Sequence, residues 1–165
     1  MMTSYLLTAL AGLSLAAPAP KDDAIKMDLD KLQGTWIVVS MEGNGELVKD
    51  PKDTKFVFAG NRVTFHYRGE KQEATPFAIN PAKSPREIDF TQPDAMKDDP
   101  AWPGIYLVEG DSLKIYLPDY HTETKAGGKT KIVFDRKVVV GERPTSFVEK
   151  QAKSATLLVL KRDKK

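Results

Sequence analysis

Short segments that alternate apolar and polar residues at a period of two, separated by glycine-bearing pairs, constrain this chain more than any other feature. Lys55-Phe56-Val57-Phe58 and Arg62-Val63-Thr64-Phe65-His66-Tyr67 flank Gly60-Asn61, and the runs Gly104 to Glu109 and Ser112 to Leu117 flank Gly110-Asp111. Two-residue links of this kind favour hairpins, because they supply the positive φ that a tight turn between twisted strands requires. The alternation puts Phe56 and Phe58, then Val63, Phe65 and Tyr67, on one side, and Lys55, Arg62, Thr64 and His66 on the other. Similar runs follow. Thr75, Phe77 and Ile79 share a side of a strand that Asn80-Pro81 ends, since proline cannot extend an interior ladder. Ile88 and Phe90 face inward from Arg86 to Phe90, and Ile105 and Leu107 are set beside Leu113, Ile115 and Leu117. In the last run, Thr156 to Arg162, the residues Leu158, Leu160 and Arg162 share a parity. Lys131 to Phe134 and Lys137 to Val140 are shorter candidates broken by Asp135-Arg136, while residues 91–103 and 119–130 read as loops.

About eight to ten such strands joined by tight turns make a meander, which must close on itself or leave its edges unpaired. The expected fold is therefore all-β: a single antiparallel up-and-down β-barrel with a short N-terminal helix. Ile25, Leu29 and Leu32 fall near one face of a helix from Ala24 to Gln33 that Asp22 or Asp23 can cap, and Gly34 ends it. In Leu32-Gln33-Gly34-Thr35-Trp36, the glycine provides a bend and the indole a large apolar ring at the entry to the first strand. This stretch reads as the plug of the barrel's closed end.

At 165 residues, with 41% hydrophobic and 29% charged side chains, the chain has material for one core. Residues 1–16 have the apolar run and the small-residue ending of an export signal, Ser14-Leu15-Ala16, and the run is too short for a membrane span of ~20 residues. Residues 17–27 then form a linker and helix start, and residues 28–165 the barrel domain. An exported protein, periplasmic or secreted, with no membrane span in the mature chain is expected. The absence of cysteine removes disulfides, thiolate metal sites and cysteine nucleophiles together. Charge is uneven: residues 87–124 carry 2 basic and 9 acidic side chains, and residues 125–165 carry 12 and 4. Such a distribution can steer an anionic partner, or simply draw the two halves of a closing barrel together.

With the strands placed, Leu32-Gln33-Gly34-Thr35-Trp36, Gly104-Ile105-Tyr106 with Gly110-Asp111-Ser112-Leu113-Lys114, Arg143-Pro144 with Phe147, and Leu157-Leu158-Val159-Leu160-Lys161-Arg162 resemble, in order, an uncharacterised lipocalin-like domain family common in planctomycete bacteria. The resemblance runs from about Asp28 to Arg162 and implies a calycin-type barrel with no assigned reaction. Tyr116 stands where members of that family often carry a cysteine, so no role tied to that cysteine transfers. In the wider lipocalin pattern the tryptophan of Gly34-x-Trp36 packs at the closed end, often under an arginine from a late strand. Arg162 is the first candidate for that arginine and Arg143 the second.

No nucleophile elbow, phosphate loop, zincin helix or dinucleotide fingerprint occurs in residues 17–165. With two histidines, a histidine-rich metal centre is excluded. Asp119-x-His121-x-Glu123 offers three ligands to one side of an extended chain but no fourth group, and Asp94, Asp98 and Asp99 lack the glycine-marked spacing of a calcium loop, so no metal site and no cofactor are expected. His66 shares its face with Arg62 and Thr64 and is expected on the solvent side. No catalytic residue is assigned, and a non-enzymatic role is expected. Nucleic acid is a poor partner, because the basic end is not interleaved with stacking aromatics. The inward set Phe56, Phe58, Phe65, Tyr67, Phe77, Phe90, Leu107, Leu113 and Ile115, with Thr75 and Tyr67 as polar handles, suits an apolar or amphipathic ligand in the barrel. It suits equally a closed core, with a protein or envelope polymer recognised through loops and charged surface instead.

Overall fold

The computed structural model describes residues 21–43, 46–47, 51, 53–91, 99–118, 120–126, 134–147 and 155–164, with the backbone path alone for residues 21, 120–126 and 134–139. The expected signal at 1–16, the residues Asp94, Asp98 and Asp119, and the side chains of His121 and Glu123 lie outside that description. One helix, α1 (Lys21–Leu32), precedes twelve strands: β1 (Gly34–Gly43), β2 (Glu46–Leu47), β3 (Lys55–Ala59), β4 (Arg62–Tyr67), β5 (Glu70–Lys71), β6 (Thr75–Asn80), β7 (Arg86–Phe90), β8 (Trp102–Glu109), β9 (Ser112–Pro118), β10 (Tyr120–Ala126), β11 (Phe134–Val140) and β12 (Ala155–Arg162).

Eight of these strands close an antiparallel barrel in the order β1-β3-β4-β6-β7-β8-β9-β12, with β12 returning to β1. Every barrel strand thus lies beside its predecessor in the chain, and the meander leaves no open edge. The short strands β2 and β5 extend β1 and β4 at the rim. Residues 119–130, expected to be a loop, instead contain β10, which pairs with β11 from Tyr120↔Val140 to Ala126↔Phe134. The break expected at Asp135-Arg136 is absent, since β11 runs through both residues. Polar alternation in Tyr120-His121-Thr122-Glu123 carries no apolar signal, so the strand was invisible to a hydrophobic pattern.

Inward parity follows the alternation with one reset and two corrections. A bulge between Val38 and Ser40 shifts the β1 register, so that Trp36 and Val38 face in and Met41, opposite Leu158, follows them. Leu107 does not line the interior: on β8 the inward residues are Tyr106 and Val108, paired with Ile115 and Leu113, while Leu107 pairs with exposed Lys114 and Ile105 belongs to an outer cluster with Tyr116, Ala155 and Leu157. Both parities of Ile105-Tyr106-Leu107-Val108 are apolar, because the segment around Phe147 covers the outer side, and alternation could not choose between them. Tyr67 is also corrected. It shares the parity of Phe65 but is 49% exposed, because β6 pairs with β4 only at Arg62 and Val63, and beyond them β4 turns out to pair with β5.

Candidate functional site

The two ends of the barrel are built differently. At one end the connections are tight: Gly60-Asn61 between β3 and β4, residues 81–85 between β6 and β7, and Gly110-Asp111 between β8 and β9. At the other end the connections are residues 44–54, 68–74, 91–101 and 119–154. Long connections displayed by a rigid scaffold are where binding residues concentrate.

The tight end is plugged. Leu32 of α1 and Trp36 are fully buried, with Leu29 packed against the same cluster. The indole Nε1 donates to the Leu32 carbonyl at 2.8 Å, so the ring also satisfies one of the open carbonyls at the helix end. Arg162, opposite Trp36 in the β1–β12 register, lies over the indole with its guanidinium carbon 4.2 Å from the ring centroid. Its two terminal nitrogens donate to the carbonyls of Gln33 and Lys31, both at 2.6 Å. Gly34 turns the chain at φ +105, and a β-carbon there would stand 3.3 Å from Arg162 Nη1. The Gln33 side chain exchanges two hydrogen bonds with the backbone of Gly60, joining the helix to the β3–β4 turn. Arg143, the second candidate for the tryptophan, is elsewhere: it donates to the Gly104 carbonyl and pairs with Asp89 on the outer side of β7 and β8.

One polar group enters this plug. Asp28 is 4% exposed and accepts from Tyr106 Oη at 2.8 Å and Lys31 Nζ at 2.9 Å, with Arg86 Nη1 3.0 Å from its second oxygen. Burial pushes the Asp28 carboxyl up, but the hydrogen bonds from Lys31 and Tyr106 and the charges of Arg86 and Lys31 outweigh it and hold the group below its ordinary value. Burial, together with the hydrogen bond to Asp28 and the Asp28 charge, raises the Tyr106 phenol well above its usual range, so it remains a donor. Sequence reasoning passed over this cluster. Its one local signal was an aspartate set among Ile25, Leu29 and Leu32 on the apolar face of the helix.

Toward the long-loop end the interior is aromatic. Phe56 meets Phe65 edge-on with centroids 4.7 Å apart, and Phe58 meets Phe77 at 5.2 Å. Phe90 contacts Phe65 at 5.9 Å, Phe77 at 6.3 Å and Trp102 at 6.3 Å. Phe56, Phe58, Phe77, Phe90, Leu113 and Ile115 are buried, whereas Phe65, Met41 and Trp102 are only partly buried. The buried members fill the middle of the barrel with edge-to-face packing. The partly buried ones stand at the mouth, where Trp102 is oriented by Nε1 donating to the Pro118 carbonyl at 2.7 Å. The structure therefore brings together Phe56, Phe58, Phe65, Phe77 and Phe90 of the sequence-derived set, places Leu113 and Ile115 deeper, and excludes Tyr67 and Leu107.

Among the described residues no three metal-ligating side chains converge, and no helix is long and apolar enough to cross a membrane. Fold and ends together define a closed eight-stranded barrel with one plugged end and, at the other, partly exposed aromatics. No protein-family model, curated protein or solved structure matches the chain.

Proposed function

We propose that this is an exported, non-enzymatic lipocalin-like binding module which takes the apolar end of a small amphipathic ligand at the mouth opposite α1. The observation that carries the reading is that, among the described residues, inward-facing aromatics are exposed at that end alone. Phe65 and Trp102 stay partly open above a Phe90 floor, while Trp36 at the plug is fully buried. An aromatic surface kept accessible at the long-loop end of a barrel is a ligand surface in its chemistry, since burying it again is favourable by about 25 cal/mol per Å2. Packing of the central rings supports a shallow site that holds a chain end, with the polar part of the ligand among the loops.

The test is a titration of the full chain with 1-anilinonaphthalene-8-sulfonate, followed by displacement with dodecanoate. Saturable fluorescence enhancement, reversed by dodecanoate and weakened about tenfold or more by Trp102→Asp, is expected. No saturable signal, or one indifferent to Trp102→Asp and Phe65→Ser, would overturn the reading.

A further inference from the structure

On the outer side of the barrel, Lys55, His66 and Lys71 stand directly opposite one another on β3, β4 and β5, with Ile37 of β1 completing the row. Like charges aligned across strands are destabilising, and among the described residues none of these three basic side chains has a carboxylate partner. Ile37, Lys55 and His66 of this row line a cavity of about 320 Å3 whose other walls are Asp53, Thr54, Gly69 and Asp163. Those walls are fixed. Thr54 is buried and its carbonyl accepts from Val38 N at 3.0 Å, while the Asp53 carbonyl accepts from Gly69 N at 3.3 Å. Asp53, Arg68 and Gly69 all take positive φ to make this junction, at +56, +51 and +81.

The cavity thus presents a nitrogen side, the Lys55 ammonium and the His66 imidazole, and a carboxylate side, Asp53 and Asp163, with no ion pair joining Asp53 to Lys55 or His66 among the described residues. Ile37, 42% exposed, adds an apolar surface. An anion alone would satisfy Lys55 and His66 but be repelled by Asp53 and Asp163. A neutral polyol would satisfy the carboxylates and leave the Lys55 ammonium bare. A ligand bearing one carboxylate and several hydroxyls meets both sides, and a pyranose ring can lay its C–H face on Ile37. We propose that this cavity is a second binding site, separate from the mouth, for an acidic sugar unit whose carboxylate lies at Lys55 and His66 and whose hydroxyls donate to Asp53. Lys71, next in the row, strengthens the field that attracts it.

His66 provides the readout. Slight burial and the charges of Lys55 and Lys71 hold its imidazole below the ordinary histidine value. A bound carboxylate favours the imidazolium and moves the titration up. The full chain is titrated with D-glucuronate at constant ionic strength while the ring protons of His66, assigned by His66→Gln, are followed by NMR. A saturable shift, with the His66 titration raised by about half a unit or more, is expected. D-glucose and acetate should each bind about tenfold or more weakly, Lys55→Met should cost about tenfold, and Asp53→Asn should weaken glucuronate more than acetate. Equal binding of glucose, tighter binding of inorganic phosphate, a shift reproduced by sodium chloride, or an unchanged Lys55→Met protein would each overturn the proposal. Because dye binding reads the mouth and His66 reads the outer side, failure of one site is distinguishable from failure of the other.

Discussion

Arg162 holds the closed end through three contacts that no other side chain could make together. Its planar guanidinium covers Trp36 while its two terminal nitrogens reach the carbonyls of Lys31 and Gln33. Lysine retains the charge but has neither the plane nor the fork. Arg162→Ala is expected to lower the unfolding free energy by roughly 2–4 kcal/mol, combining loss of the ring contact with charged hydrogen bonds, and Arg162→Lys should recover only part of it in urea denaturation. A lysine variant as stable as the parent would show that charge alone matters. Trp36→Ala should cost about 3–5 kcal/mol, as expected for removing a fully buried indole. Asp28 adds a pH signature. Its folded value lies below that of an ordinary carboxylate, so its contribution is present above about pH 4 and is lost as pH falls through the folded value. The stability gap between wild type and Asp28→Asn should therefore be widest near neutrality and narrow below pH 4; a gap independent of pH would remove the carboxylate from the account.

At the level of elements, legibility in the sequence depended on whether one side of a strand met water. Strands β3, β4, β6 and β7 were readable because Lys55, Thr64, Ala78 and Asp89 alternate with buried neighbours. On β8 both sides are covered, and the parity of Ile105 to Val108 could not be told from the residues alone. The plug was half legible. Gly34 and Trp36 are local signals and the late arginine came through the lipocalin resemblance, but the pairing of Asp28 with Tyr106 and Arg86 joins residues far apart in the chain. The mouth was legible as apolar inward residues, though not its asymmetry, which depends on which connections fall at which end. Gly104 illustrates the tightness that results: a β-carbon there would come within 2.5 Å of Leu117 Cδ2 and 3.0 Å of the Tyr116 carbonyl. The β10–β11 hairpin is an addition to the barrel, since no barrel strand pairs with it among the described residues, and a lone two-stranded hairpin is marginal in water. Because Tyr120 and Val140 face each other, replacing Tyr120–Val140 with Asn-Gly should leave the melting midpoint within about 5 °C. Loss of near-ultraviolet circular dichroism in that variant would show that the hairpin supports the barrel.

Over the whole molecule, the proposed function rests on the difference between ends. The helix, Trp36, Arg162 and Asp28 close one of them, while Phe65, Met41 and Trp102 leave apolar surface at the other. The chain's two tryptophans happen to mark these two places. The most direct measurement is the fluorine NMR spectrum of protein carrying 5-fluorotryptophan, titrated with dodecanoate, with Trp102→Phe used for assignment. A saturable shift of the Trp102 resonance is expected, while that of Trp36 stays in place. A shift of Trp36 with Trp102 unmoved, or no saturable shift of either, would contradict it.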